Sequence, residues 1–464
     1  MPAALVLDVG KTHSKLSLWD SQGNCLGRRS HANRVVDGPG YRALDSAGIE
    51  RWLMDGLREF AARAEIAAIV PLAHGAAAAL VCESGLFAPP MDYEDASIDA
   101  GRADYESERD AFEATGSPAL PHGLNLGAQL HALERRLGDW PADLRILPWP
   151  QYWAWWLCGV AASEVSSLGC HTDLWRPAER RFSDLAVRRG WAQRIAPLRA
   201  AGEALGMIRP DLADQTGLPR DCRILCGLHD SNAALLAARY HSEIAADGAA
   251  TVATGTWFIA MRGGDPPSLA TGFNPRRDCL LNVDVTGRPV PSARFMGGRE
   301  AELAGGDLLP RLLQPDDGAL AARLERLVAE GRHLLPTLAV GTGPFAALSG
   351  GWRSPPADPA DRAALLGLYL ALMSDVMLDL VGSDAAVLVE GRFAAADAYV
   401  RSLATLRRDQ TIHRAAECDA AFGALRLAFP SLSGAPALPK AAPLDIDLAP
   451  QRRDWLDRIA GAPR

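Results

Sequence analysis

Residues 8–15, Asp-Val-Gly-Lys-Thr-His-Ser-Lys, lie between two apolar stretches, Ala4-Leu5-Val6-Leu7 and the alternating Leu16-Ser17-Leu18-Trp19. Four consecutive apolar residues suit a buried strand, alternation suits a returning strand with one face in a core, and Gly10 permits the tight turn between them. A chain that starts this way starts with a hairpin. A P-loop needs four residues between its glycines and a helix after its Lys-Ser/Thr, and a dinucleotide fingerprint also opens a helix, so neither fits. Two readings remain: an ordinary hairpin with a polar turn, or one shaped to hold phosphate. In the second, Gly10 lets backbone N–H groups approach an anion, Thr12 adds a hydroxyl, Lys11 and Lys15 add ammonium groups, and Asp8 holds Mg²⁺ through water. Lysine usage favours it. Lys11, Lys15 and Lys440 are the only lysines in a chain that otherwise takes its positive charge from arginine, and a compact ammonium is a good point-charge partner for phosphate.

The pattern restarts after residue 248. Residues 249–253 form a β-rich apolar run, Thr254-Gly255-Thr256 a small polar turn, and residues 257–261 a second strand. A repeat on this scale predicts paired domains, and 464 residues with 48% hydrophobic content are enough for two cores. Residues 239–248 read as the connector, giving domains 1–240 and 241–464. A net charge of −8 without a basic tract speaks against nucleic-acid and membrane-surface partners. The apolar stretch 66–82 is interrupted by Pro71, His74 and Gly75, and the N-terminus lacks a basic signal-peptide start, so the expected location is the cytoplasm. The eight cysteines include no C-x-x-C pair, which points to buried thiols and not to a structural metal.

Several residues stand where chemistry or structure could claim them. His74 follows a buried-strand candidate at 67–72, either as a ligand contact or as a satisfied core histidine. Residues 88–121 have loop composition, with Asp92 and Glu94 flanking Tyr93; carboxylates in long loops are usually solvated. Asp173 could bind hydroxyls or cap a turn. Asp230 lies between a strand at 223–228 and a small-residue helix at 233–238, where it can cap the helix and also face a ligand at the C-terminal edge of a sheet. Helices are expected at 49–61, 126–137, 365–380 and 415–429. The tryptophans at 140–156 are expected to fill a core, while Gly423-Ala424 could admit a flat base or a close helix neighbour.

With these residues in place the chain resembles the FGGY carbohydrate kinases. Residues 8–15 are similar to that family's first phosphate motif, Thr254-Gly255-Thr256 to its second, Gly227-Leu228-His229-Asp230 to the segment of its catalytic aspartate, and Pro71-Leu72-Ala73-His74-Gly75 to a sugar-contacting segment. The resemblance implies an α/β fold of two ribonuclease-H-like (actin-like ATPase) domains with a central nucleotide and sugar cleft, and ATP-dependent phosphorylation of a primary hydroxyl with Mg²⁺. It implies Asp230 as catalytic base and His74, Asp92, Asp173 and Asp230 as sugar contacts. Gly10, Lys11, Thr12, Lys15, Gly255, Thr256 and Gly391 would hold ATP, and Asp8 the metal. The segments 171–173 and 294–300 look most like the rhamnulose and fuculose kinase branch, so the expected substrate is a small ketose of rhamnulose, fuculose or xylulose type. Two departures stand out: Lys11 replaces a smaller hydroxyl residue, and Glu390-Gly391-Arg392 replaces paired glycines. The alternative is a nucleotide-dependent sugar-binding or chaperone-like protein without transfer. Beyond the sugar, a second copy of the chain is the one further partner this reading admits.

Overall fold

The first strand, β1 (Ala3–Val9), is buried along its length except at Asp8. Its side chains alternate between two cores: Leu5, Leu7 and Val9 enter one, Ala4 and Val6 the other. This is the period-two geometry of a strand covered on both faces. In the computed structural model, which describes residues 2–264, 272–316, 318–416, 420–432 and 437–461, β1 pairs antiparallel with β2 (His13–Asp20) and parallel with β4 (Ile66–Ala73). Beyond β2 lies β3 (Cys25–Ala32). On the other side the sheet continues through β6 (Arg223–Leu225) to β5 (Ala204–Met207), while β7 (Leu228–His229) also pairs with β4.

The two faces are covered by different helices. Helix α1 (Ser46–Ala61) is capped by Asp45, whose carboxylate accepts from the Gly48 N–H at 2.8 Å, and it buries Ile49, Trp52, Leu53, Leu57 and Phe60. Helix α3 (Trp149–Cys158) joins that layer, with Trp149 and Trp153 fully buried and Trp149 stacked on Tyr152 at 5.1 Å. These tryptophans are core, as the composition suggests. Ala4, Val6, Val70 and Leu72 on the opposite face meet Ala421, Ala424 and Leu425 of α8 (Ala420–Ala428). A segment late in the sequence thus completes the first core. The first compact unit is Met1–Ala237 together with Leu281–Pro289 and Asp419–Ser433, whereas a cut at residue 240 leaves those two returning segments out.

The second unit comprises Ala238–Leu280, Val290–Cys418 and Gly434–Arg464. Its central strand, β8 (Ala250–Thr254), pairs antiparallel with β9 (Phe258–Arg262) and parallel with β12 (Val387–Gly391), which is parallel to β13 (Ile412–Ala415). Strands β11 (Pro289–Phe295) and β10 (Cys279–Val283) extend the far side. Each unit therefore has a hairpin whose first strand also pairs with a parallel neighbour. Helix α6 (Pro359–Val381) is long and apolar enough to cross a membrane, but 94% of its most apolar window is buried, and it serves as the core helix of this unit.

Three local expectations change. The stretch 88–121 contains short helices at Ala96–Gly101, Arg102–Glu108 and Phe112–Thr115, the first capped by Asp95. The strand expected at 223–228 is broken into β6 and β7 by Gly227 at φ +76°; a Cβ there would lie 2.1 Å from the Pro71 carbonyl oxygen. Of the helix expected at 415–429, Ala420–Ala428 are helical, whereas Ala415 ends a strand, Ile412–Ala415, that continues the sheet.

Candidate active site

Parallel strands in register bring their C-terminal ends together, and ligands of open α/β sheets bind at that edge. In the first unit Ala73 is the register partner of both Val9 and His229. Asp8 near the end of β1, His74 just past β4 and Asp230 just past β7 therefore share one edge of the sheet. The His74 N–H donates to the Val9 carbonyl at 3.3 Å. The break at Gly227 is fixed from the side by Gln151 of α3, whose amide donates to the carbonyls of Cys226 and Gly227 at 3.2 and 3.1 Å. Asp230 opens α4 (Asp230–Ala238), where the helix dipole favours an anion.

The electrostatics set the protonation states. Burial pushes the Asp230 carboxyl up to about 6, opposed by the Ser231 N–H and hydroxyl and by the field of Lys15. Its neighbour His229 accepts at Nδ1 from the Asn232 amide at 3.1 Å, which puts the imidazole proton on Nε2. That nitrogen lies 3.2 Å from Asp230 Oδ1 and 3.3 Å from Cys170 Sγ. Burial lowers His229 to about 4, so the ring is neutral at pH 7. His74 falls further, to about 3, through burial and then the nearby Lys11 ammonium. Both ring nitrogens of His74 are shielded from solvent and have no hydrogen-bond partner among the described residues. Asp92 is fully buried: Oδ1 takes the Lys11 ammonium and the Glu94 N–H, while Oδ2 has no hydrogen-bond partner, the Arg42 guanidinium being 3.9 Å away. The Tyr93 ring meets His74 edge-on at 5.7 Å and carries the Lys11 ammonium 4.6 Å over its face.

An unpaired buried polar group costs on the order of 1–3 kcal/mol. Several at one sheet edge, beside a carboxylate poised near neutrality, are groups whose missing partners a hydroxyl could supply. His171 joins the cluster through its field on His74; its backbone is left-handed at φ +42°, and its Nδ1 is 2.7 Å from the Leu124 carbonyl. Tyr93, His171, His229 and Asn232 were not singled out as site residues by sequence reasoning. The adjacency of His229 and Asn232 to Asp230 was the available signal for those two.

The first hairpin turn is braced from inside. Gly10 N–H donates to the His13 carbonyl at 3.0 Å, Asn33 N–H to the Thr12 carbonyl at 2.9 Å, and the Asn33 side chain binds the Gly10 carbonyl and the Ser14 hydroxyl at 2.7 and 2.8 Å. Among the described residues the backbone N–H groups of Lys11 and Thr12 have no acceptor. Turn amides without an internal acceptor are the kind of donor that can hold an anion. Lys15, the cross-strand partner of Asp8, is exposed and makes no ion pair or hydrogen bond among the described residues. Lys11, in contrast, is committed to Asp92. The second unit has a tighter version: Gly255 N–H donates to the Trp257 carbonyl at 2.9 Å, and Gly298 approaches so closely that a Cβ would lie 2.1 Å from the Gly255 oxygen. Gly391, at φ +88°, is the register partner of Thr254, so Gly255, Thr256 and Gly391 share the C-terminal edge of β8 and β12.

Asp173 does not belong with these residues. Its two oxygens are clamped by Arg109 at 2.8 Å each and by the Tyr105 hydroxyl, all within the buried interior. Those contacts give it a structural task. Gly423 is likewise explained by packing: a Cβ there would lie 2.1 Å from the Ala233 carbonyl of α4, which leaves no room for a base.

Residues 246–436 match the family described as carbohydrate kinase FGGY, C-terminal domain. No curated protein matches the chain. A solved carbohydrate kinase from Novosphingobium aromaticivorans is 47% identical, with TM-score 0.93 over 99% of this chain and 98% of that one. The ligand-bound xylulose kinase from Lactobacillus acidophilus (TM-score 0.76, 12% identity, 99% and 96% covered) and the Plasmodium falciparum glycerol kinase with ADP (TM-score 0.76, 12% identity, 99% and 98% covered) share the fold. The repeated units are those of the actin-like ATPase fold, the enzyme is a phosphotransferase with an alcohol group as acceptor, and the chain belongs to the FGGY carbohydrate kinases.

Proposed function

We propose that the edge formed by Asp8, His74, Asp92 and Asp230 binds a small ketose of xylulose, rhamnulose or fuculose type, and that Asp230 takes the proton of its primary hydroxyl during attack on the γ-phosphate of ATP. The observation that carries this reading is a set of buried atoms with no hydrogen-bond partner among the described residues, His74 Nδ1 and Nε2 and Asp92 Oδ2, near the sheet edge that also carries Asp230. Hydroxyls both donate and accept, so a polyol satisfies neutral imidazoles and a carboxylate together. As the hydroxyl oxygen bonds to the γ-phosphorus, the bond from that phosphorus to the β,γ-bridging oxygen breaks, ADP leaves, and the hydroxyl proton moves to Asp230. A carboxyl held near 6 is ionised at pH 7 yet basic enough for this task. His229, with its proton on Nε2 facing Asp230, orients the base.

The outward amides of Lys11 and Thr12, the Thr12 hydroxyl and the free ammonium of Lys15 suit phosphate oxygens. In the second unit the Gly255-Thr256 turn and Gly391 are assigned to nucleotide binding. No group of three or more His, Cys, Asp or Glu among the described residues could hold a metal alone. A single carboxylate such as Asp8 fits Mg²⁺, which takes most of its ligands from phosphate and water and offsets charge on the transferred group. The test is incubation with Mg·ATP and a panel of ketoses, aldoses, polyols and aldonates, with ADP and sugar phosphate measured together. Equal, sugar-dependent yields with a ketose support the proposal; ADP without sugar phosphate, or nucleotide binding without turnover, favours a binding protein instead.

A further inference from the structure

Lys11 sits in the turn between β1 and β2, one residue after Gly10, yet its side chain leaves the turn. Its ammonium ends on Asp92, 81 residues away in sequence, with Glu94 at 3.6 Å and the Tyr93 ring beneath it. Asp92 is anchored independently: its N–H donates to the Arg42 carbonyl at 2.8 Å, and its Oδ1 also takes the Glu94 N–H at 3.1 Å. One side chain therefore joins the turn carrying the Lys11 and Thr12 amides to the segment of Asp92, whose Oδ2 has the Arg42 guanidinium at 3.9 Å and accepts no hydrogen bond among the described residues. The ammonium is 15% exposed and the carboxylate 0%, so solvent and salt screen the pair weakly, and parting it would leave the buried carboxylate with the more distant Arg42 guanidinium, 3.9 Å from Oδ2, as its remaining cation among the described residues.

We propose that Lys11 is a positioning residue, a latch through which filling of the sugar pocket tightens the phosphate turn, and not a phosphate ligand itself. The inference rests on the kinase reading above. The turn is fixed on its carbonyl side by His13 and Asn33, and on its amide side, among the described residues, the Lys11 side chain ties it to a distant segment. A hydroxyl donated to Asp92 Oδ2 orders that carboxylate and, through the ammonium, the turn. A turn already ordered loses less entropy when phosphate arrives. The coupling is reciprocal, so bound nucleotide raises sugar affinity in turn. Lys15, exposed and unpaired among the described residues, remains the ammonium available to phosphate.

The test needs no sugar. MgADP is titrated calorimetrically into the full chain as wild type, Lys11→Thr, Asp92→Asn, the double variant and Lys11→Arg, with thermal unfolding recorded for each. A latch predicts that Lys11→Thr and Asp92→Asn each weaken MgADP binding by about fivefold or more. It also predicts that the double variant is no weaker than the weaker single, and that Lys11→Arg keeps most of the affinity. If Lys11 bound phosphate directly, Asp92→Asn would release the ammonium and leave binding unchanged or tighter, and the Lys11→Thr loss would persist in the Asp92→Asn background. Either result overturns the latch, as does equal binding by all five proteins. Failure of the wild type to bind MgADP at all would overturn the kinase reading, and the latch with it.

Discussion

Asp230 carries opposite consequences for catalysis and stability. Its carboxyl is raised by burial from 3.8 to about 6, so between those values the folded state holds a proton that the unfolded state has released. Stability therefore falls as pH rises through that window, and above it the folded chain carries the cost of a partly buried anion. Asp230→Asn removes that cost. The variant should lose about 10²–10⁴-fold in turnover if Asp230 is the base, and its melting temperature should exceed that of the wild type by more at pH 8 than at pH 5. Wild-type kcat/KM should fall as pH drops below about 6, reporting the same group in the free enzyme. Unchanged turnover in the variant would remove Asp230 from the chemistry. His74 makes the same point without a charge: His74→Phe replaces two unpaired buried nitrogens with hydrocarbon. It should keep or raise thermal stability while raising the sugar KM by about tenfold or more, since partners worth about 1–3 kcal/mol each are lost. A drop in stability with an unchanged KM would instead make His74 a satisfied core residue. The position of both residues was legible because apolar strands ending in His-Gly and His-Asp mark a sheet edge. The destination of Lys11 was not. A long flexible side chain in a turn reads from sequence as a charge available to any anion, and only tertiary packing delivers Asp92 to it.

Elements place these residues, and glycine decides two of the placements. Within residues 223–228 the apolar pattern continues through Gly227, so the sequence reads as one strand; the break arises because β4 presents the Pro71 carbonyl where a side chain would project. Gly227→Ala combines that 2.1 Å approach with φ +76°, and both effects have the same sign. It should destabilise the first unit by about 2 kcal/mol or more and displace β7, so that residual folded enzyme loses turnover as well. Urea unfolding with activity measured on the folded fraction checks this; a stable, fully active variant would mean that the break is not what aims Asp230. The short helices at 96–115 were hidden for a different reason. Their apolar contributions are sparse, Ile98 and Tyr105 being the buried ones, and a helix held by caps and neighbours leaves little periodicity to find. Asp173 misled in the same region, because an Asp amid small polar residues looks like a binding loop until Arg109 is folded against it.

At the scale of the whole molecule, the repeat of strand, small turn and strand at residues 3–20 and 250–262 was readable because both copies meet the same demand: a buried central strand, a tight polar turn and an antiparallel return. What the sequence concealed is that the units are not consecutive. The face of the first sheet formed by Ala4, Val6, Ala68, Val70 and Leu72 is covered by Ala421, Ala424 and Leu425 of α8, more than three hundred residues later. Alanine-rich helices give weak signals of which sheet they cover, and the close approach at Gly423 is to Ala233 of α4, not to the sheet. A fragment of residues 1–240 should accordingly expose an apolar sheet face, and exposed contiguous apolar surface drives association. It should bind a hydrophobic dye, unfold without a sharp transition and aggregate. The same fragment extended through a flexible linker by residues 419–433 regains the missing layer, and its unfolding should become cooperative with loss of dye binding. A cooperative, monomeric 1–240 fragment would show that α8 decorates this core and does not complete it.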